Sequence, residues 1–261
     1  MTALLPVAIV CYVVGICLTG VAMVYRARPA RIGASVAFGA AWTAHLGALV
    51  HRGTVTGRFP LANGAEYLLF LGWVVAGLHL LLWFRRRMNV TGVTLAPLSV
   101  GAALAALPLL GGDGDRTHSG SGGLFLLHTT ASTLGMATLC VALAMSVIYI
   151  IQDRALKSRS ALRMLERLPS LDRCDALGQQ ALWIGFFLFT IGILTGMAVN
   201  GMVHGTLWLP EVKQTLPLLA WSIVAGVLLA RMGLGFRGRK SAYLTIAGVT
   251  LGLLTVLGMS L

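Results

Sequence analysis

The sequence predicts an all-α, polytopic membrane bundle of about eight transmembrane helices, with both termini on the outer side, and three observations predict it. First, 57% of the 261 residues are hydrophobic and only 11% charged, with a mean hydropathy of +0.85, whereas a soluble globular chain carries roughly 25% charged residues. Second, the apolar residues fall in runs of about twenty, the length a helix needs to cross ~30 Å of hydrocarbon. Third, the basic residues are divided unequally between alternate loops, as in multi-pass membrane proteins. The runs are continuously apolar and do not alternate, which excludes lipid-facing barrel strands.

The runs are taken in order. Residues 3–25 form the first; it has no positive n-region and is longer than an h-region, so it reads as a helix rather than a signal peptide. Run 32–51 carries His45 and His51, and run 64–84 carries Glu66 and His79. Run 91–110 follows, then 123–151 with His128, 181–203 ending beside His204, 215–232 and 241–260. The outer loops are 52–63, 111–122 and 204–214, and GGDGDRTHSGSGG in the middle one has the composition of a flexible connection. The sizeable hydrophilic stretch 152–180 lies on the cytoplasmic side. In it Leu162, Leu165 and Leu168 recur at near-helical spacing among Arg163, Glu166 and Arg167, which suits either a short amphipathic surface helix or a solvated connector. No linker divides the chain, so residues 1–261 read as a single transmembrane domain.

The net charge of +12 reports topology rather than nucleic-acid binding. Sixteen of the twenty basic residues follow the first, third, fifth and seventh runs; only Arg52, Arg58, Arg116 and Lys213 lie in the alternate loops. The positive-inside rule therefore puts both termini outside. Four short, separated loops make a poor nucleic-acid footprint.

Cys11, Cys17, Cys140 and Cys174 have no CxxC spacing, and the first three lie inside runs, so neither a disulfide framework nor a zinc site is expected. Histidines are the strongest functional candidates, because ionisable side chains within a span are costly. His45, His51, His128 and His204 all fall towards the outer side, His79 lies in the inner part of its run, and His118 is in a loop. Facing imidazoles on different helices are how a bundle holds a b-type haem. By helix rise, His45 and His128 sit within roughly 10 Å of the outer boundary and suit the two axial positions of one iron. The plainer reading of a lone transmembrane histidine is a hydrogen bond to a neighbouring helix. His51 and His204 read as partly solvated boundary residues or as a second ligand set. Several of the six tryptophans lie where interfacial anchors are expected. Gly185, Gly192 and Gly196 allow close helix packing or leave room for a flat porphyrin. Glu66 is either a boundary residue or a hydrogen-bond partner for a histidine or a propionate-binding cation. The chain has no CxxCH, so it does not itself carry covalent c-type haem, and no Ser/His/Asp set, P-loop or dinucleotide fingerprint occurs at usable spacing.

Several segments taken together resemble the CcsA/HemX family of cytochrome c assembly membrane proteins, over roughly residues 40–261. AHLGALVHRG around His45 is similar to the family's second-helix histidine segment. FPLANGAEYLLFLGW is similar to its P-x-S-N-x-Y-E-S-L-x-F-x-x-W motif, with Pro60, Asn63, Glu66, Phe70 and Trp73 in the matching places. LFLLHTTAST places His128 at a haem ligand of the family, and GFFLFTIGILTG and FRGRKSAYLTIAGVTLGLLTVLG resemble two further segments. The tryptophan-rich outer segment of the haem-attaching members is replaced by VHGTLWLPEVKQTLPLLAW, which keeps Trp208, Pro210, Lys213 and Trp221 but loses the acidic core and brings in His204. The complete synthase motif is thus absent, a departure that resembles the HemX-like branch.

The resemblance implies a bacterial inner-membrane protein that holds haem b through His45 and His128, with His51 or His204 as an alternative set, for transfer to an apocytochrome or another assembly protein. Two other classes use the same residues or scaffold: a fixed haem-b electron-transfer subunit of a respiratory complex, and a haemless scaffold or regulator acting through 152–180.

Overall fold

The computed structural model of the protein describes residues 3–61, 63–86, 88–110, 122–158, 168–208, 212–233 and 235–260. These form eight α-helices, with no strand among the described residues: α1 (Leu4–Tyr25), α2 (Arg28–Thr56), α3 (Gly64–Arg86), α4 (Ala96–Ala106), α5 (Gly123–Ser158), α6 (Leu171–His204), α7 (Val212–Gly233) and α8 (Arg239–Ser260). Among the described residues seven stretches are long and apolar enough to cross a membrane, one of them Val90–Leu109 around α4. The eighth helix, α8, is 22 residues long and packs beside α5 and α7. The chain is a multi-pass membrane protein with a helical-bundle fold.

Local chemistry stops the helices. α1 ends at Arg26, which adopts the left-handed conformation at φ 55°, and α2 starts two residues later with Pro29 in its first turn. Gly57 and Gly205 close α2 and α6 at positive φ, where glycine carries no Cβ penalty. Ser170 caps α6 by accepting the Arg173 amide N–H.

Three boundaries differ from the sequence reading because hydropathy marks the bilayer edge while caps mark the helix end. α2 continues past residue 51 to Thr56, so His51 is helical. The fourth run is divided into a 3-10 turn at Asn89–Val93, the short α4 and a second 3-10 turn at Leu107–Leu109, with Pro97 and Pro108 opening the last two. The hydrophilic stretch 152–180 is helical at both ends. α5 runs to Ser158, supported by the Asp153–Lys157 pair, and α6 begins at Leu171; residues 159–167 lie outside the described residues. Leu162 and Leu165 of the expected amphipathic helix lie outside the described residues, as does His118; Leu168 is half-buried against the core.

Sequence neighbours pack antiparallel. Gly15 meets Phe38, Gly77 meets Trp42, Gly185 meets Leu139 and Gly248 meets Ile223. The ends of the helices therefore alternate, and one end of the bundle gathers both chain termini while the opposite end gathers the arginine-rich connections. α5 is the central helix. Its most apolar window is 61% buried, against 22% for α1 and α6, and it touches α3, α6 and α8. The outer faces of α1 and α6 expose Val10, Val14, Ile184 and Leu194, as lipid-facing helices do.

Candidate functional site

His45 lies in the second half of α2 and is fully buried. Its Nδ1 is 3.4 Å from the Tyr12 hydroxyl of α1, with the two rings edge to face at 6.1 Å. Gly72 of α3 makes room for the ring: a Cβ there would lie 3.5 Å from His45 Cε1 and 3.1 Å from the Ser99 carbonyl oxygen. His45 Nε2 is buried and has no hydrogen-bond partner. One turn earlier Trp42 stacks on Trp73 at 4.9 Å, and Phe70 stacks on Trp73 at 5.9 Å. Both indole nitrogens and the Ser99 hydroxyl are likewise buried without partners. A group of unsatisfied polar atoms in an apolar setting costs roughly 1–3 kcal/mol each and marks a place where a partner belongs.

His128, in the second turn of α5, is held across the interface to α6. Its Nδ1 is 2.7 Å from the Gly192 carbonyl oxygen. A carbonyl only accepts, so Nδ1 carries the proton and Nε2 keeps its lone pair in the neutral ring. A backbone carbonyl on one ring nitrogen is the arrangement that orients the other for a metal. The ring rests on Gly196, where a Cβ would come within 2.6 Å of His128 Cε1.

The structure adds His79 of α3, which the sequence marked only as inner and of unknown role. It is buried, 2.8 Å from Thr91 Oγ1, and Thr91 in turn donates its hydroxyl proton to the Met88 carbonyl at 2.7 Å. The threonine oxygen is then the acceptor for His79 Nδ1–H, and His79 Nε2 is left as a bare, buried lone pair without a partner. Phe38 and Trp83 enclose the ring edge to face at 4.5 and 5.7 Å. A sequence signal did exist, in a threonine at the start of the next run, but only the fold shows that it faces the histidine.

His45 is seated among α1, α2 and α3, and His128 between α5 and α6, so the two rings occupy different helix interfaces near the same end. His51 and His204 are exposed at that end. Glu66 is fully buried and binds two cations, Arg52 Nε and Arg58 Nη1, both at 2.8 Å, while its amide N–H donates to Asn63 Oδ1 at 2.9 Å. Two guanidiniums on one carboxylate leave a net positive charge there. The glycine face of α6 serves packing: Gly185 and Gly192 lie against Leu139 and Ser132 of α5.

The donor set fits haem. Neutral imidazoles with a bare or unpartnered Nε2, aromatic walls and a net positive arginine cluster are the features such a group requires. Among the described residues no three of His, Cys, Asp or Glu gather as a metal-ion site.

Residues 61–261 match the family model described as cytochrome C assembly protein. The chain is 26% identical over 256 residues to the cytochrome c biogenesis protein CcsA of Gloeothece citriformis, covering 78% of this chain and 77% of that one. To the protein of the same name from Thermosynechococcus vestitus it is 28% identical over 254 residues, covering 82% and 80%. The relative from Guillardia theta is 25% identical over 224 residues, with 78% and 74% covered. With the family match taking in α3 to α8 and the site residues Glu66, His79 and His128, the chain belongs to the cytochrome c assembly protein family.

Proposed function

We propose that this protein holds haem b by histidine ligation in a bacterial inner membrane and hands it to a partner, an apocytochrome or another assembly protein. His45 and His128 are the iron ligands, and His51 and His204 are the second or alternative set at the boundary. The observation that carries the reading is the His128 Nδ1–H bond to the Gly192 carbonyl, which fixes the tautomer a ligand needs and raises the basicity of Nε2. The buried, unpartnered Nε2 of His45 supports it.

When bound, haem would supply an iron whose axial positions are filled by imidazole and so shielded from oxygen chemistry. The residues have separable parts in this reading. Gly192 and Tyr12 orient the two rings. Glu66 holds Arg52 and Arg58 together as a cationic pair suited to carboxylate groups on the haem edge. The exposed imidazoles of His51 and His204 stand where haem would leave towards a partner. The charge asymmetry of the loops supports both termini lying outside, which puts these histidines on the outer side.

The test is a reduced-minus-oxidised spectrum with quantified haem, on the wild-type chain and on His45→Ala and His128→Ala. The expected outcome is a low-spin b-type signal in the wild type that each variant loses. A wild-type protein from haem-replete cells that holds no haem would overturn the reading.

A further inference from the structure

At the arginine-rich end, opposite His45 and His128, a cavity of about 270 Å³ opens between the C-terminus of α1, the N-terminus of α2 and the 3-10 turn before α4. Its lining brings Arg26, Arg28 and Arg31 together over Thr19, Met23 and Trp83. Three features of the chain build this arrangement. The left-handed turn at Arg26 reverses the chain within two residues, so that α1 delivers its last side chain beside the first of α2. Arg28 and Arg31 are three apart on a helix and so share a face. The N-terminus of the 29-residue α2, the positive end of its dipole, lies at the same place.

The charge is strongly one-sided. Among the described residues no carboxylate lines the cavity, and no Asp or Glu occurs among the first 65 residues of the chain. The space is ample for a phosphate group. Val21, Val24 and Tyr25 are exposed on the side of α1 turned away from the cavity, as a lipid-facing surface is, and Ile32 is exposed next to Arg31.

We infer that this cavity binds a phosphate-bearing anion, supplied by the headgroup of an anionic phospholipid. Basic pockets between transmembrane helices recognise such headgroups, with each nearby cation adding about 1 kcal/mol. The cavity opens where two helices long and apolar enough to cross a membrane meet, the level at which lipid headgroups stand, and this favours the lipid over free phosphate as the source. The inference rests on neither haem binding nor the side on which the termini lie.

The experiment is native mass spectrometry of delipidated full-length protein titrated with phosphatidylglycerol or phosphatidylcholine. The variants are Arg28→Gln with Arg31→Gln, and Arg85→Gln with Arg237→Gln as an equal change of charge outside the cavity. One phosphatidylglycerol should bind the wild type about tenfold more tightly than phosphatidylcholine, and the first double variant should lose about tenfold or more while the second stays near wild type. If millimolar inorganic phosphate leaves this binding unchanged, the lipid is the source; competition by phosphate keeps the anion site and reassigns the source. Equal binding of the two lipids, an equal fall in both double variants, or retention of haem instead of lipid through Arg28 and Arg31 would overturn the inference.

Discussion

Glu66 illustrates how much one side chain does at the end of the bundle that holds both termini. It is fully buried, caught between Arg52 and Arg58, and its own amide is fixed by Asn63. Glu66→Gln leaves two partly buried cations with a neutral partner, and breaking a buried pair costs up to 3–5 kcal/mol. Because the arginines retain 13% and 27% exposure, about 2–3 kcal/mol is expected here. Thermal unfolding in detergent would read it as a clearly lowered midpoint, and an unchanged midpoint would refute it. Thr91→Val is the matching test at His79: it removes the acceptor of the Nδ1 proton at a cost of about 1–3 kcal/mol. Thr91→Ser, which keeps the hydroxyl, should recover most of that loss. The sequence exposed His45 and His128 as candidates because a histidine in an apolar run stands out. It left the Arg52–Glu66–Arg58 cluster and the His79–Thr91 pair hidden, since their meaning depends on which side chains face each other across helices.

At the level of elements, α5 and α6 are the closest-packed pair, and glycines on both helices make the approach possible. A Cβ at Gly135 would lie 2.7 Å from the Phe189 amide nitrogen, and one at Gly185 would lie 2.8 Å from the Leu139 side chain. Gly135→Ala must push backbone against backbone and is expected to cost about 1–3 kcal/mol or more. Gly39→Ala in α2, with nothing within 4 Å, should be neutral or slightly stabilising. Comparing the two melting midpoints tests the interface directly. Gly196→Ala is sharper, because the new methyl displaces the His128 ring from the Gly192 carbonyl. Its expected signature is a weakened or shifted haem spectrum in a protein that still runs as a single folded species. The order of the eight described helices was legible in the apolar runs, and so was the approximate span of all but α4, whose run is divided by two 3-10 turns. Their rotation was not, since a helix that is apolar on all sides carries no stripe to mark its inner face. The extensions of α2, α5 and α6 were also hidden, because hydropathy falls at the water boundary where the backbone continues as helix.

For the whole molecule, the alternation of helix directions makes topology a single binary choice. In the proposed orientation, with both termini outside as the loop charges favour, an alkaline phosphatase fused to Leu261 should be active and a fluorescent protein fused there dark; the reverse pattern would invert the orientation. The buried nitrogens of His45, His79, Trp42 and Trp73, none with a hydrogen-bond partner, bear on a different matter. Each lowers the stability of the bare chain, and a ligand that satisfies any of them stabilises the fold by mass action. Quality-control proteases sample the open population of a protein, so the bare form should be cleared faster than the loaded one. If that ligand is the proposed haem, the steady amount of this protein in a cell would follow the haem supply, with its own lifetime acting as the gauge.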